Sequence, residues 1–220
     1  MKTAVVFVHG LFLNGAEFTL LRRRLERTLG FECHRFSYPT TRGALEPTLE
    51  QLARFVDGIE ADRVHFVAHS LGGIVLCRYF EHEAKPRDGR VVMLGTPLCG
   101  SRSARAVARH AMLRALVGPI VAAELIEDHP PYQWNCAHEL GVIAGTRPMG
   151  LGRFFAKFEE DSDGTVALSE TRFPGCKAHV TLPVSHMGML MSRQVAREVG
   201  AFLIDGRFSD RRDQSLTTRR

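Results

Sequence analysis

Arg63-Val64-His65-Phe66-Val67-Ala68-His69-Ser70-Leu71-Gly72-Gly73-Ile74-Val75-Leu76 is the stretch on which the fold turns. Its first seven residues, carrying Val64, Phe66, Val67 and Ala68, read as a buried strand. From Ile74 to Phe80 the chain is apolar nearly all round, which reads as a buried helix. Between strand and helix stands only Ser70-Leu71-Gly72-Gly73. A serine on so sharp a turn sits in strained backbone geometry and projects its Oγ above the sheet. Residues two before and two after it must be small, or they collide across the turn. Ala68 and Gly72 meet that need, although glycine is commoner at the first of these positions. The helix that begins at Leu71 also points its free N–H groups and positive dipole end at the same place. Pentapeptides of this form recur by chance, so the weight lies on the order strand, turn, helix.

The same rhythm runs outward on both sides. Thr3 to Val8 is a strand ended by His9-Gly10. Phe18, Leu21, Leu25 and Leu29 recur at helical spacing before Gly30. Phe31 to Phe36 is a second strand, and Pro47 opens a helix running to about Asp57. Arg90 to Leu94, Leu140 to Ala144 and Ala178 to Leu182 are further strands. A last helix spans about Ser192 to Ile204, with Val195, Val199, Phe202 and Leu203 facing inward. The expected fold class is α/β, a mostly parallel sheet of about six strands with helices on both faces. Ligand chemistry then belongs at the C-terminal edge of the strands. Residues 101–138 interrupt the alternation with a helical stretch, Ala104 to Ile126, broken at Gly118-Pro119, and a Pro-rich loop, Asp128 to Trp134. This segment reads equally as a cap over the site or as a surface helix pair.

The chain has 220 residues, 45% apolar and 24% charged, an ordinary globular balance that excludes disordered, collagenous and coiled-coil chains. No apolar run reaches the ~18 residues of a membrane span, so no stable membrane insertion is expected. The net charge is +5, and the five arginines and two aspartates from Arg207 to Arg220 supply +3 of it. We read 1–206 as the folded domain and 207–220 as a flexible basic tail. Only Phe208 accompanies those arginines, so no nucleic-acid partner is expected. Five cysteines without C-x-x-C spacing suggest neither a disulfide framework nor a zinc site. No metal and no organic cofactor is expected. No secretory leader is expected from the opening residues, and the expected location is cytoplasmic.

Val5-Val6-Phe7-Val8-His9-Gly10, Ala68-His69-Ser70-Leu71-Gly72-Gly73 and Pro183-Val184-Ser185-His186-Met187-Gly188 together resemble the α/β-hydrolase superfamily, and within it the small bacterial lipases and esterases. The likeness covers about residues 3–204. It implies a minimal α/β-hydrolase fold with a helical insertion, and a catalytic Ser70. A serine hydroxyl needs a base to take its proton, and this fold orders its triad Ser, acid, His. His186, in the loop after the last strand, fits the base. His179 falls inside a strand, while His9 and His69 flank the site as loop-shaping residues. The acid is expected in Asp161-Ser162-Asp163-Gly164-Thr165-Val166. Asp163 resembles the family's acid-bearing turn, with Asp161 and Glu160 as alternatives. The oxyanion donors implied are the backbone N–H of Leu71 and of Leu11, with the Asn14 side chain as an alternative.

Leu11, Phe12, Leu13, Leu98, Met187, Met189 and Leu190 are expected at the mouth, with Phe12, Leu13, Leu98 and Met187 lining the pocket. They suit a small-molecule ester with an apolar acyl portion, or they pack the loops. Arg102 is the lone arginine expected near the mouth, so a phosphate or coenzyme A ligand has little support. The resemblance thus implies a serine hydrolase acting on carboxylic esters through an acyl-enzyme. A thioesterase, an acyltransferase and a non-catalytic member of the fold that binds an apolar ligand or a partner are the alternatives, with acyl chain length and oligomeric state left open.

Overall fold

The structure, a computed structural model, describes residues 2–82, 87–109, 111–127, 132–149 and 158–209. The strands are β1 (Thr3–Val8), β2 (Glu32–Phe36), β3 (Arg63–His69), β4 (Arg90–Leu94), β5 (Glu139–Gly145) and β6 (Ala178–Leu182). They form one sheet in the order β2-β1-β3-β4-β5-β6, and every neighbouring pair is parallel. The register brings Val8 beside Ala68, His69 beside Leu94, and Gly145 beside Leu182. The loops that follow β1, β3, β4, β5 and β6 therefore gather at one edge.

Helices α1 (Thr19–Leu29), α2 (Leu45–Asp57), α3 (Leu71–His82), α4 (Arg102–Ala108), α5 (Ala111–Val121) and α6 (Arg193–Asp205) cover the sheet. The two-residue period of the strands divides the core. Val6, Val8, Phe66 and Ala68 face α2 and α3 in one apolar cluster. Val5, Phe7 and Val67 face α1 and α6 in the other. Both faces of β1, β3, β4 and β5 are buried, which is why these strands read as largely apolar, whereas the edge strands β2 and β6 are partly exposed. Gly30 closes α1 and Gly206 closes α6, each with a left-handed backbone that relieves the last carbonyls. Ser192 caps the start of α6 by accepting the Val195 N–H.

The insertion breaks where the sequence suggests. Gly118 leaves helical geometry at φ 81°, just before Pro119, and it lies so close to Thr41 that a Cβ would stand 2.6 Å from the Thr41 Cα. A short π-helical turn, Ala122–Ile126, follows. Val117, Ile120, Val121, Leu125, Tyr132 and Trp134 are buried in the cluster beneath α2 and α3. Glu124, on the π turn, accepts from Arg78 of α3 at 2.8 Å and from the Tyr132 hydroxyl at 2.6 Å. This half of the insertion thus shares the main core. Residues 128–131 of the Pro-rich loop lie outside the described residues.

The boundary of the tail needs correction. Phe208 is buried against Phe202 of α6, and Ser209 donates its N–H and its hydroxyl to the buried Glu198 carboxylate. The packed domain therefore extends through Ser209 rather than ending at 206, because an aromatic ring and a buried acid are both satisfied by that segment. Residues 210–220 lie outside the described residues. Phe208→Ala is expected to destabilise the fold by about 3–5 kcal/mol through the cavity it leaves, measured as a lowered midpoint of chemical denaturation. No helix among the described residues is long and apolar enough to cross a membrane.

Candidate active site

Ser70 stands at the end of β3 with φ 53°, and Phe12 is the other non-glycine residue with positive φ among the described residues. For an L-residue that geometry costs on the order of 1 kcal/mol and persists only where the surroundings enforce it. Here they do. The Ser70 N–H donates to Leu94 O of β4 at 2.9 Å, and the Gly73 N–H returns to Ser70 O at 3.0 Å. A Cβ on Gly72 would run into the carbonyl of Val8 and come within 2.7 Å of that of His9. The elbow is thus wedged between β1 and β4, and glycine at 72 is a packing requirement. Ala68, His69 and Leu71 are buried, whereas Ser70 is only half-buried.

His186 lies in the loop after β6. Its Nδ1 bonds Asp163 Oδ2 at 2.7 Å, and its backbone N–H donates to Asp163 O at 2.9 Å. Asp163 is 1% exposed. Its other oxygen, Oδ1, accepts the N–H groups of Thr165 and Val166 at 2.9 and 2.8 Å. The carboxylate is fixed from both ends. Asp161 is exposed, and its backbone carbonyl serves the turn by accepting the Leu168 N–H. Glu160 faces the Arg102 guanidinium and Ser169 instead. Of the three acids considered from sequence, Asp163 meets the imidazole. His179 stays within β6 and meets the Thr171 hydroxyl at 2.9 Å.

Gly95, just after β4, makes room for this pair. With φ 54°, a Cβ there would stand 2.8 Å from Asp163 Oδ2 and 3.1 Å from His186 Nδ1. Gly95→Ala is expected to push the two apart and break their hydrogen bond, which loss of the hydrogen-bonded His186 Nδ1–H resonance from the proton NMR spectrum of the folded variant checks.

The loop after β1 is held from the end of β2. The Tyr38 N–H donates to His9 Nε2 at 3.2 Å, so the proton of that ring sits on Nδ1, which donates to Gly10 O at 3.0 Å. Tyr38 also stacks on the ring and donates its hydroxyl to His9 O. Burial lowers the His9 pKa, in keeping with a neutral structural ring. Leu13 N–H closes a turn onto Gly10 O, and Phe12 N–H donates to Thr40 Oγ1. Asn14 Oδ1 caps the next turn by accepting the Ala16 N–H.

The expected mouth residues separate. Phe12 and Met187 project outward, 64% and 44% exposed, and Leu11 and Leu13 are half-buried. Leu98 departs from expectation. Its N–H bonds Thr96 O, which turns the chain back, and its side chain is buried in the α2/α3 cluster. Met189 and Leu190 also turn inward, into the core beneath α1 and α6, because a short 3₁₀ turn follows Met187. Arg102 is answered by Glu160 and Glu170, so it offers no free cation.

Glu170 escaped the sequence reading. It is buried, and burial raises its pKa. Its Oε1 accepts the Arg102 N–H at 2.6 Å and its Oε2 the Ala167 N–H at 2.9 Å. Ser103 donates to Thr165 O at 2.5 Å, and Ser101 caps α4. The start of the insertion is therefore moored to the turn that carries Asp163. The partners lie some sixty residues apart, and no spacing rule links them. His65 is likewise structural: it accepts the Arg90 N–H, and burial pushes its pKa down to about 4. His110 and His129 lie outside the described residues. Among the described residues, no group of three or more His, Cys, Asp or Glu is placed to hold a metal ion.

Comparison with known proteins places the fold. Residues 5–178 match the sequence pattern of the Alpha/beta hydrolase family. No curated protein matches the sequence. The fold is similar to that of the Bacillus licheniformis lipase BlEst2 in its mature form, with a TM-score of 0.71, 18% identity, and coverage of 92% of this chain and 91% of that one. It is similar to a pyrethroid hydrolase from Sphingobium faniae JZ-2, with a TM-score of 0.62, 14% identity and coverage of 93% and 98%. It is also similar to the phospholipase PlaB from Legionella pneumophila, with a TM-score of 0.68 and 16% identity over 90% of this chain and 56% of that one.

Proposed function

The chain belongs to the alpha/beta hydrolase family, and from that premise we propose that it is a serine hydrolase that cleaves carboxylic esters with Ser70, His186 and Asp163. The observation that carries this reading is the buried His186–Asp163 hydrogen bond at the strand edge where Ser70 is held in strained geometry. With Nδ1–H committed to Asp163, the lone pair of His186 is on Nε2. That nitrogen takes the Ser70 proton as Oγ attacks the acyl carbon. Asp163 holds the tautomer and stabilises the imidazolium. The tetrahedral oxyanion is met by the N–H groups of Leu71 and Leu11, each worth ~3 kcal/mol in the barrier. The Phe12 and Leu13 amides are engaged with Thr40 and Gly10, which supports Leu11 as the donor of that loop. His186 then protonates the leaving alcohol, and water clears the acyl-enzyme by the same steps in reverse.

The exposed Phe12 and Met187, with Leu11 and Leu13 beside them in the loops, suit an apolar acyl portion. The lipase and phospholipase among the similar structures agree with such a substrate. A fluorophosphonate probe should label the folded protein at Ser70, and short p-nitrophenyl esters should be hydrolysed. Folded protein that neither takes the probe at Ser70 nor turns over these esters would overturn the proposal.

A further inference from the structure

His69 immediately precedes the proposed nucleophile, and its ring does more than fill the core. It is 1% exposed. Its Nε2 lies 3.1 Å from the backbone carbonyl of His186. A carbonyl only accepts, so Nε2 carries the proton and donates. Nδ1 is then a bare lone pair, buried without a hydrogen-bond partner among the described residues; the Gly10 backbone lies over it, close enough that a Cβ there would stand 3.2 Å away. The two imidazoles pack with centroids 4.5 Å apart. Burial is the largest cause holding the His69 pKa well below that of a free imidazole, with the neighbouring His186 next. A neutral ring can lie against an imidazolium that forms and vanishes during turnover, whereas a second cation there would oppose it.

We propose that His69 is a positioning residue, whose single Nε2–H to His186 O hydrogen bond fixes the loop bearing the base to the elbow bearing the nucleophile. The bond spans 117 residues of chain. Ser70 is held to β3 and β4 by its own backbone, and His186 to the Asp163 turn. Of the hydrogen bonds described here, that of His69 joins the elbow strand directly to the His186 loop. A leucine or phenylalanine would fill the same space more cheaply, since leaving a buried lone pair unpartnered is destabilising. The polar ring is thus explained by its one bond.

This inference rests on the reading of Ser70 and His186 as nucleophile and base, and the test separates the two. His69→Phe keeps the ring volume and deletes the donor. His69→Gln places an amide N–H near the position of Nε2, whereas the amide of His69→Asn stops short of it. Each is purified as the full chain, its melting temperature recorded, and kcat and KM measured on a short p-nitrophenyl ester, with Ser70→Ala alongside. Positioning predicts that kcat falls roughly 10- to 100-fold in the Phe and Asn variants, with KM within about twofold, because a misplaced base slows chemistry without altering binding. His69→Gln should recover most of the loss. Should Phe not fold, the Gln-to-Asn contrast decides alone. Equal kcat in Gln and Asn, or an unchanged kcat in a folded Phe variant, would overturn the role of His69. Persistence of activity in Ser70→Ala would instead overturn the reading on which it rests.

Discussion

Ser70→Ala is expected to lower ester turnover by ~10⁶-fold, the loss typical of removing a nucleophile that works as a unit with its base. The melting temperature should barely move. Ser70 is half-buried, its backbone remains tied to Leu94 and Gly73, and alanine is smaller than serine. Such substitutions usually stay within about 0.5 kcal/mol. Turnover and thermal denaturation of one preparation separate lost chemistry from lost fold. Substantial remaining activity in a folded variant would remove Ser70 from its assigned role.

Asp163→Asn should cost ~10⁴-fold in kcat, the loss seen when such an imidazole is held in the wrong tautomer. The asparagine oxygen would keep the Thr165 and Val166 N–H bonds now made by Oδ1. Its amide nitrogen would then face His186 Nδ1 where Oδ2 now accepts. Nδ1 must become the acceptor, the proton moves to Nε2, and the ring loses the lone pair that takes the serine proton. Asp161→Asn, on an exposed side chain, should leave kcat within about twofold. The reverse ranking would move the acid to Asp161.

Much of this arrangement was legible in the sequence because it is local. The bounds of β1, β3, β4 and β6 coincide with runs that β-branched residues and turn residues delimit. The elbow is a strand, a turn and a helix in immediate succession, and the break at Gly118-Pro119 is written in two residues. Contacts between distant segments were not legible. Leu98, Met189 and Leu190 look like mouth residues by position, yet single backbone turns send them into the core. Phe208 sits among arginines in the sequence and against Phe202 in the fold. The Asp163–His186 bond could be anticipated only as a choice among three acids, because the turn that seals Asp163 depends on backbone donors that carry no side-chain signature.

The mooring of α4 to the acid-bearing turn ties the evolution of two stretches of chain that look independent on paper. Arg102 and Ser103 on one side, and Glu160, Thr165 and Glu170 on the other, complete each other's valences. A charge reversal at Arg102 strands the buried Glu170 carboxylate, and one at Glu170 sets a second cation against Arg102, so divergent homologues should alter these positions in concert. Chimaeras that exchange the insertion for another sequence should keep the Ser101-Arg102-Ser103 anchor, or the turn beneath the imidazole will slacken along with it.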